Sequence, residues 1–177
     1  QFAKMGAVYA KEVLKKDKVR VALLNIGTEE EKGSEMIKEA HALLKAEKRI
    51  NFVGNIEARD ILRGNVDVVV SDGFAGNICL KTIEGVAEVL FGELKEAAHS
   101  GLKAKIGGLL LKKNLYGIKK KYDYRKVGGA PLLGVSKIVL KCHGNSKADS
   151  IATTIHQAYT LASNKMIEKV KKAVSEE

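Results

Sequence analysis

An apolar run, Val66 followed by Val68-Val69-Val70, ends at Ser71-Asp72-Gly73-Phe74-Ala75-Gly76-Asn77, with Lys81 four residues further on. Residue types in this order suit an anion. Glycines let the backbone approach a ligand, and a helix that opens after a strand offers unpaired N–H groups at the positive end of its dipole. A bare tight turn eased by Gly73 and Gly76 is the alternative, and Lys81 also reads as a surface residue that snorkels. The crowding of Ser71, Asp72, Asn77 and Lys81 around one turn favours a ligand. Two other apolar segments end the same way, at Asn25-Ile26-Gly27-Thr28 and at Cys142-His143-Gly144-Asn145. His143 at a strand end either lines a site or is structural. Cys142 beside it invites comparison with a nucleophile, but Cys79 and Cys142 both follow apolar neighbours, which predicts reduced, buried thiols.

The absent patterns are also informative. No Gly-x-Gly-x-x-Gly follows a strand and no phosphate loop ending in Gly-Lys-Ser/Thr occurs, so no nucleotide cofactor is expected. There is no Gly-x-Ser-x-Gly elbow, and the four histidines have no metal-ligand spacing. His41 and His99 are expected in solvent, and His156 in a structural role.

The elements that must position these residues follow from periodicity. Phe2, Met5, Tyr9 and Val13 predict a helix, and Val19–Ile26 a buried strand. Thr28 with Glu31 forms a capping-box pattern, which opens a helix carrying Met36, Ile37, Ala40, Leu43 and Leu44. Ile50–Val53 reads as a short strand, Ala58–Arg63 as a helical turn and Val66–Ser71 as a third strand. Ile83, Val86, Ala87, Leu90 and Leu94 mark the next helix, Ser136–Lys141 a fourth strand. Ile151, Ile155, Ala158, Ala162, Met166 and Val170 predict one final helix. Alternation of this kind builds an α/β fold, a mainly parallel sheet with helices on both faces, and ligands bind such sheets beyond the carboxyl ends of the strands.

At 177 residues and 45% hydrophobic, the chain can form one domain core. It opens on Gln1 with no leader pattern, so the natural N-terminus is expected upstream. Its apolar runs are of strand length, which predicts a soluble protein. The net charge of +10 is concentrated: eleven basic residues and a single acid, Asp123, lie between Ala97 and His143. One local anionic partner is implied rather than a generally basic protein. Within that region Leu102, Ile106, Leu109 and Leu110 follow helical spacing among Lys103, Lys105, Lys112 and Lys113, and Leu115, Tyr116 and Ile118 precede Lys119-Lys120-Lys121. A basic amphipathic segment at a membrane surface is predicted, with Gly107-Gly108 expected to weaken or bend it. A helical pair at a dimer interface competes with that reading. A nucleic-acid stripe using Tyr116, Tyr122 and Tyr124 is disfavoured by the 5% aromatic content.

The run from Asp67 to Gly85, together with Asn25-Ile26-Gly27, Tyr124-x-x-x-Gly128-Gly129-Ala130-Pro131-Leu132-Leu133-Gly134 and Lys141-Cys142-His143-Gly144, resembles the PlsX family of bacterial phosphate acyltransferases across essentially the whole chain. The resemblance implies a fold of the isocitrate/isopropylmalate dehydrogenase type, shared with phosphotransacetylases. It implies transfer of a fatty acyl group from acyl carrier protein to inorganic phosphate in phospholipid synthesis, with no cofactor. A cytoplasmic homodimer that meets the membrane peripherally is implied, with a membrane glycerol-3-phosphate acyltransferase as a further partner and no nucleic acid. Family members are about twice as long, so residues 1–177 correspond to the carboxyl-terminal portion, with 99–126 as a helical projection bearing Leu102, Ile106, Leu109, Leu110, Lys112, Lys113, Lys119 and Lys120. On this reading Lys81, His143 and Asn77 serve catalysis, while Asn25, Gly27, Thr28, Ser71, Asp72, Gly73, Phe74, Gly76, Gly144 and Asn145 bind phosphate or substrate. Many relatives carry Ser-Ser-Asp after His-Gly, where this chain has Asn145-Ser146-Lys147, so the displaced acid Asp149 is not assigned to the site. A coenzyme A-dependent phosphotransacetylase and a non-catalytic carrier-protein or membrane-binding module are the alternatives.

Overall fold

The apolar segment expected to be a buried strand is the centre of the sheet. In the computed structural model, which describes residues 1–121, 128–144 and 146–175, strand β1 (Arg20–Asn25) buries Val21, Ala22 and Leu23 almost completely. Strands β2 (Asn51–Glu57) and β3 (Val68–Val70) flank it, both parallel to it, in the order β2-β1-β3. β2 is longer than expected because it accommodates a bulge opposite β1, where Gly54 takes a φ of +97°. β3 is shorter than expected and forms an edge.

The amino ends of β1 and β3 are clamped together by charge. Asp67, a half-buried residue whose side chain is 5% exposed, accepts from the Arg20 backbone N–H and Nε at 2.9 Å each and from Nη2 at 3.2 Å, with Lys16 Nζ at 3.4 Å. Arg20 Nη2 also donates to the Gly64 carbonyl at 2.9 Å. These bonds favour the ionised form and hold the Asp67 carboxyl well below its ordinary value.

Helices flank the sheet. α1 (Phe2–Glu12) packs on β1 and β3, and α2 (Glu35–Ala46) packs on β2. A 3-10 turn spans Ala58–Arg63 as expected, and α3 (Gly73–Ala97) and α4 (Leu102–Lys121) follow. A second core forms where α5 (Ala148–Ser163) and α6 (Met166–Ser175) meet α1: Leu161, Met166 and Val170 are buried against Met5, Val8, Tyr9, Ile138 and Leu140.

Several expectations are corrected. α2 is capped by Ser34, whose Oγ accepts from Ile37 N at 3.4 Å, and the Thr28 box does not form. Gly33, at φ +91°, resets the chain direction immediately before Ser34, so the helix cannot begin earlier. The fourth strand does not join the sheet. Only Leu140–Lys141 (β5) is extended, paired antiparallel with Ala130–Pro131 (β4), and Leu132 N donates to Val139 O at 2.9 Å. Gly134, with a φ of +87°, lies in the connection that turns the chain back into this ribbon. The single final helix is two helices, divided at Lys165 with its φ of +50°. His41 is buried, not solvated, and His156 is exposed, not structural. His99 is exposed as expected.

Both thiols are free but half-buried, so the expected full burial does not hold; Cys142 Sγ donates to Thr154 Oγ1 at 3.5 Å. α4 is helical through Gly107-Gly108 without interruption, and Gly108 is needed because a Cβ there would lie 2.9 Å from the Ala98 Cβ. Leu102, Ile106, Leu109, Leu110 and Leu111 are all exposed. Three consecutive leucines sweep about 200° of helix surface, so the apolar side chains are not confined to one stripe. The side chains of Lys119, Lys120 and Lys121, and all of Tyr122, Tyr124 and Asn145, lie outside the described residues.

Candidate functional site

Two of the three glycine-bearing strand ends share one edge of the sheet. Continuing the pairing of Leu23 with Val70 by two residues brings Asn25 level with Asp72, on neighbouring parallel strands about 4.8 Å apart. The loops after β1 and β3 therefore leave the sheet side by side.

The β3 loop is organised by Asp72, the N-cap of α3. Its Oδ1 accepts from Phe74 N at 2.8 Å and Ala75 N at 2.7 Å, while Gly76 N donates to the Asp72 carbonyl at 3.1 Å. The first-turn donors that a bare helix would offer to an anion are thus engaged by the protein's own carboxylate. The two glycines have different reasons for being glycine. A Cβ on Gly76 would run into the Ser71 Oγ, whereas a Cβ on Gly73 would meet nothing within 4 Å. Gly76 makes room for the serine hydroxyl, and Gly73 presents open backbone to the sheet edge. Phe74 and Asn77 are exposed beside it. Lys81 lies in the third turn of α3, about 12 Å along the axis from Gly73, and its Nζ pairs with Glu84 Oε2 at 2.6 Å.

The β1 loop is braced from within. Asn25 Oδ1 accepts from Ile26 N at 2.8 Å and its Nδ2 donates to the Lys32 carbonyl at 3.0 Å, so the amide shapes the loop. Gly27 is buried between the side chains of Glu29 and Lys32, and Thr28 is exposed at the loop surface.

The third strand end is arranged differently. His143 and Gly144 follow β5 in the antiparallel ribbon, both exposed. Pro131 and Leu133 of that ribbon border a groove of about 310 Å³ shared with Met5, Val70 and Ser71, which brings the ribbon to the β3 side of the edge. The residues that spacing did not reveal are on α2 and β2. His41 Nδ1 lies 2.9 Å from Asn55 Oδ1, and Asn55 Nδ2 donates to the Glu29 carbonyl at 2.8 Å, which anchors the β1 loop from below. The signal was present: His41 is four residues after Ile37 and three before Leu44, on the apolar stripe of its helix. Among the described residues no group of three His, Cys, Asp or Glu side chains is placed to hold a metal.

The family model described as fatty acid synthesis protein matches residues 1–169. The chain belongs to this family. It is 52% identical over its whole length to a protein named phosphate acyltransferase from Caldicellulosiruptor saccharolyticus, of which it covers 53%. Proteins of the same name from Clostridium novyi and Streptococcus agalactiae are 48% and 47% identical over 99% and 100% of the chain, and it covers 53% and 54% of them. The chain spans about half the length of the curated relatives it matches. No described helix is long and apolar enough to cross a membrane.

Proposed function

We propose that the full-length protein is a phosphate acyltransferase that moves a fatty acyl group from acyl carrier protein to inorganic phosphate, feeding bacterial phospholipid synthesis. The observation that carries this reading is the match to proteins of that name along the entire chain. The paired loops with their open glycine backbone suit it chemically. A phosphate oxygen attacks the thioester carbonyl carbon, the carbon–sulfur bond breaks, and the carrier's thiolate leaves and takes up a proton. A thiol with a pKa of about 8.5 is a good leaving group, so the protein's main tasks are orientation and charge stabilisation. Ser71, Asn77 and the backbone at Gly73 are assigned to phosphate, with Gly27 and Thr28 across the edge, His143 and Gly144 toward the leaving sulfur, and Lys81 supplying charge from further along α3.

In the full-length enzyme, Asn77→Ala and His143→Ala are each expected to lower acyl phosphate formation by roughly 10²-fold. Lys81→Ala is expected to cost less, because its ammonium is exposed and shared with Glu84. Unchanged rates and unchanged dependence on phosphate in all three variants would remove this site. Acyl carrier protein should outcompete coenzyme A as acyl donor; the reverse preference identifies a phosphotransacetylase-like enzyme.

The α3–α4 pair supports a surface role. α3 is 25 residues long with no buried residue, and Lys103, Lys105, Lys112 and Lys113 on α4 have no ion-pair partner among the described residues. We assign α3 to a homodimer contact and α4 to the surface of an anionic membrane. Leu109→Glu combined with Leu110→Glu is expected to abolish co-sedimentation with anionic vesicles and to leave soluble activity intact. Continued vesicle binding would give those leucines a role inside the assembly.

A further inference from the structure

Gly128-Gly129 has no part in the chemistry above, yet both positions require glycine. Gly128 takes a φ of +94°, and a Cβ there would lie 2.5 Å from Gln157 Oε1. Gly129 is buried, and a Cβ there would lie 2.9 Å from Thr154 Cγ2. The backbone thus runs directly against α5, where Thr154 and Gln157, three residues apart, share one face. Two bonds fasten the ribbon to that face, one on each strand. Gln157 Oε1 accepts from Gly129 N at 3.0 Å, and Cys142 Sγ donates to Thr154 Oγ1 at 3.5 Å. Thr154 gives its own proton to the Ser150 carbonyl at 2.8 Å, so toward Cys142 its oxygen is the acceptor. Continuing the antiparallel pairing of Ala130 with Lys141 by one residue sets Gly129 opposite Cys142, so both bonds act at a single rung, next to His143. Gln157 also links this rung to the rest of the fold, because its Nε2 donates to the Tyr9 hydroxyl of α1 at 3.2 Å. One turn before Tyr9, Met5 meets the other end of the ribbon: a Cβ on Gly134 would lie 3.1 Å from its Cε. α1 packs in turn on β1 and β3, the strands whose loops carry Thr28 and Ser71.

We propose that Gln157 is a positioning residue: it fixes this rung of the ribbon against α1 and so sets where His143 stands relative to Ser71. An amide suits the task because it accepts and donates at once, and its two partners lie on different elements. The consequence for catalysis rests on the assignment of His143 to the leaving sulfur. Protonation of that sulfur belongs to the chemical step, so misplacing His143 lowers kcat and leaves KM for phosphate alone.

The test reads the ribbon and the catalysis separately in the full-length protein. Gln157→Met keeps the length of the side chain and removes both of its bonds. Amide hydrogen exchange across residues 128–133 is expected to speed by roughly fivefold, the usual worth of one hydrogen bond. In the same variant kcat should fall by roughly tenfold at unchanged KM for phosphate, a smaller loss than in His143→Ala because the imidazole is displaced and not removed. Gln157→Glu should restore both protection and kcat, since Gly129 N–H can donate to one carboxylate oxygen and the Tyr9 hydroxyl to the other. Tyr9→Phe, which deletes only the hydroxyl, should show the same two effects in milder form and stays informative where Gln157→Met lowers stability. Unchanged exchange in Gln157→Met, or a kcat that Gln157→Glu does not restore, overturns the proposal. Because Gln157 acts through His143, adding Gln157→Met to His143→Ala should cost no further activity, and losses that multiply overturn it as well. A His143→Ala enzyme with unchanged kcat would instead remove His143 from the reaction, and the exchange readout alone would then uphold or overturn the seating of the ribbon by Gln157.

Discussion

Asp67→Asn in the full-length protein is expected to cost about 3 kcal/mol of stability at neutral pH, read as a lower urea midpoint at unchanged m-value. The carboxylate is buried and accepts from three Arg20 N–H groups as it joins the beginnings of β1 and β3. An amide turns an N–H toward those donors and leaves them short of acceptors. Lys16, half-exposed, cannot substitute, because screened contacts of this kind contribute little. The pH dependence has a definite sign. The carboxyl is held below its ordinary value of 3.8, so the stabilisation is fully present above that value and is lost as pH falls beneath it toward the depressed folded-state value. The gap between wild type and Asp67→Asn should therefore be constant from pH 7 to about pH 5 and narrow in more acidic solution. A gap that is independent of pH down to the acid limit would mean that the ionised carboxylate is not the stabilising species.

The elements legible in the sequence are those whose signals are local and uncontested. Val21, Ala22 and Leu23 announce a buried strand because nothing polar interrupts them, and the strand–glycine–helix order after Val70 forces α3 to begin where it does. Other signals were overridden by backbone conformation, which periodicity does not register. Thr28 and Glu31 have the right spacing for a cap, but the turn at Gly33 sets the helix start at Ser34. Ile155, Ala158, Ala162 and Met166 keep a helical rhythm straight through the break at Lys165, so their spacing cannot reveal two helices. The consecutive apolar residues Ile138-Val139-Leu140 resemble a sheet strand, and only the returning partner at Ala130–Pro131 shows a ribbon instead.

The candidate site divides along the same line. The shared edge of the β1 and β3 loops follows from parallel pairing, which strand–helix alternation predicts. The engagement of the Phe74 and Ala75 amides by Asp72 was also available, since aspartate before a helix is a preferred cap, but the same amides suit an anion equally well. Only the geometry decides between the two. The bracing of the β1 loop by His41 and Asn55 joins residues 14 positions apart on different elements, and no local pattern connects them.

Gly76→Ala is expected to abolish most of the activity of the full-length enzyme while leaving stability within about 1 kcal/mol of wild type. Ordinarily alanine favours a helix over glycine by about 1 kcal/mol. Here the new methyl must displace the Ser71 hydroxyl, the small end of a side chain that can rotate away, so the steric cost and the helix gain roughly offset each other. What changes is the direction of that hydroxyl at the end of β3. With Ser71 holding phosphate, turning it aside should lower kcat/KM by roughly 10²-fold, the usual loss for one aligned donor. Ser71→Ala should lose a similar factor, and the Gly76→Ala/Ser71→Ala double variant should be no worse than either single change. Both act through one hydroxyl, so their effects on activity cannot add. Additive losses would mean that Gly76 acts by some route other than the space it leaves for Ser71. An active Gly76→Ala enzyme would place phosphate away from the β3 loop altogether.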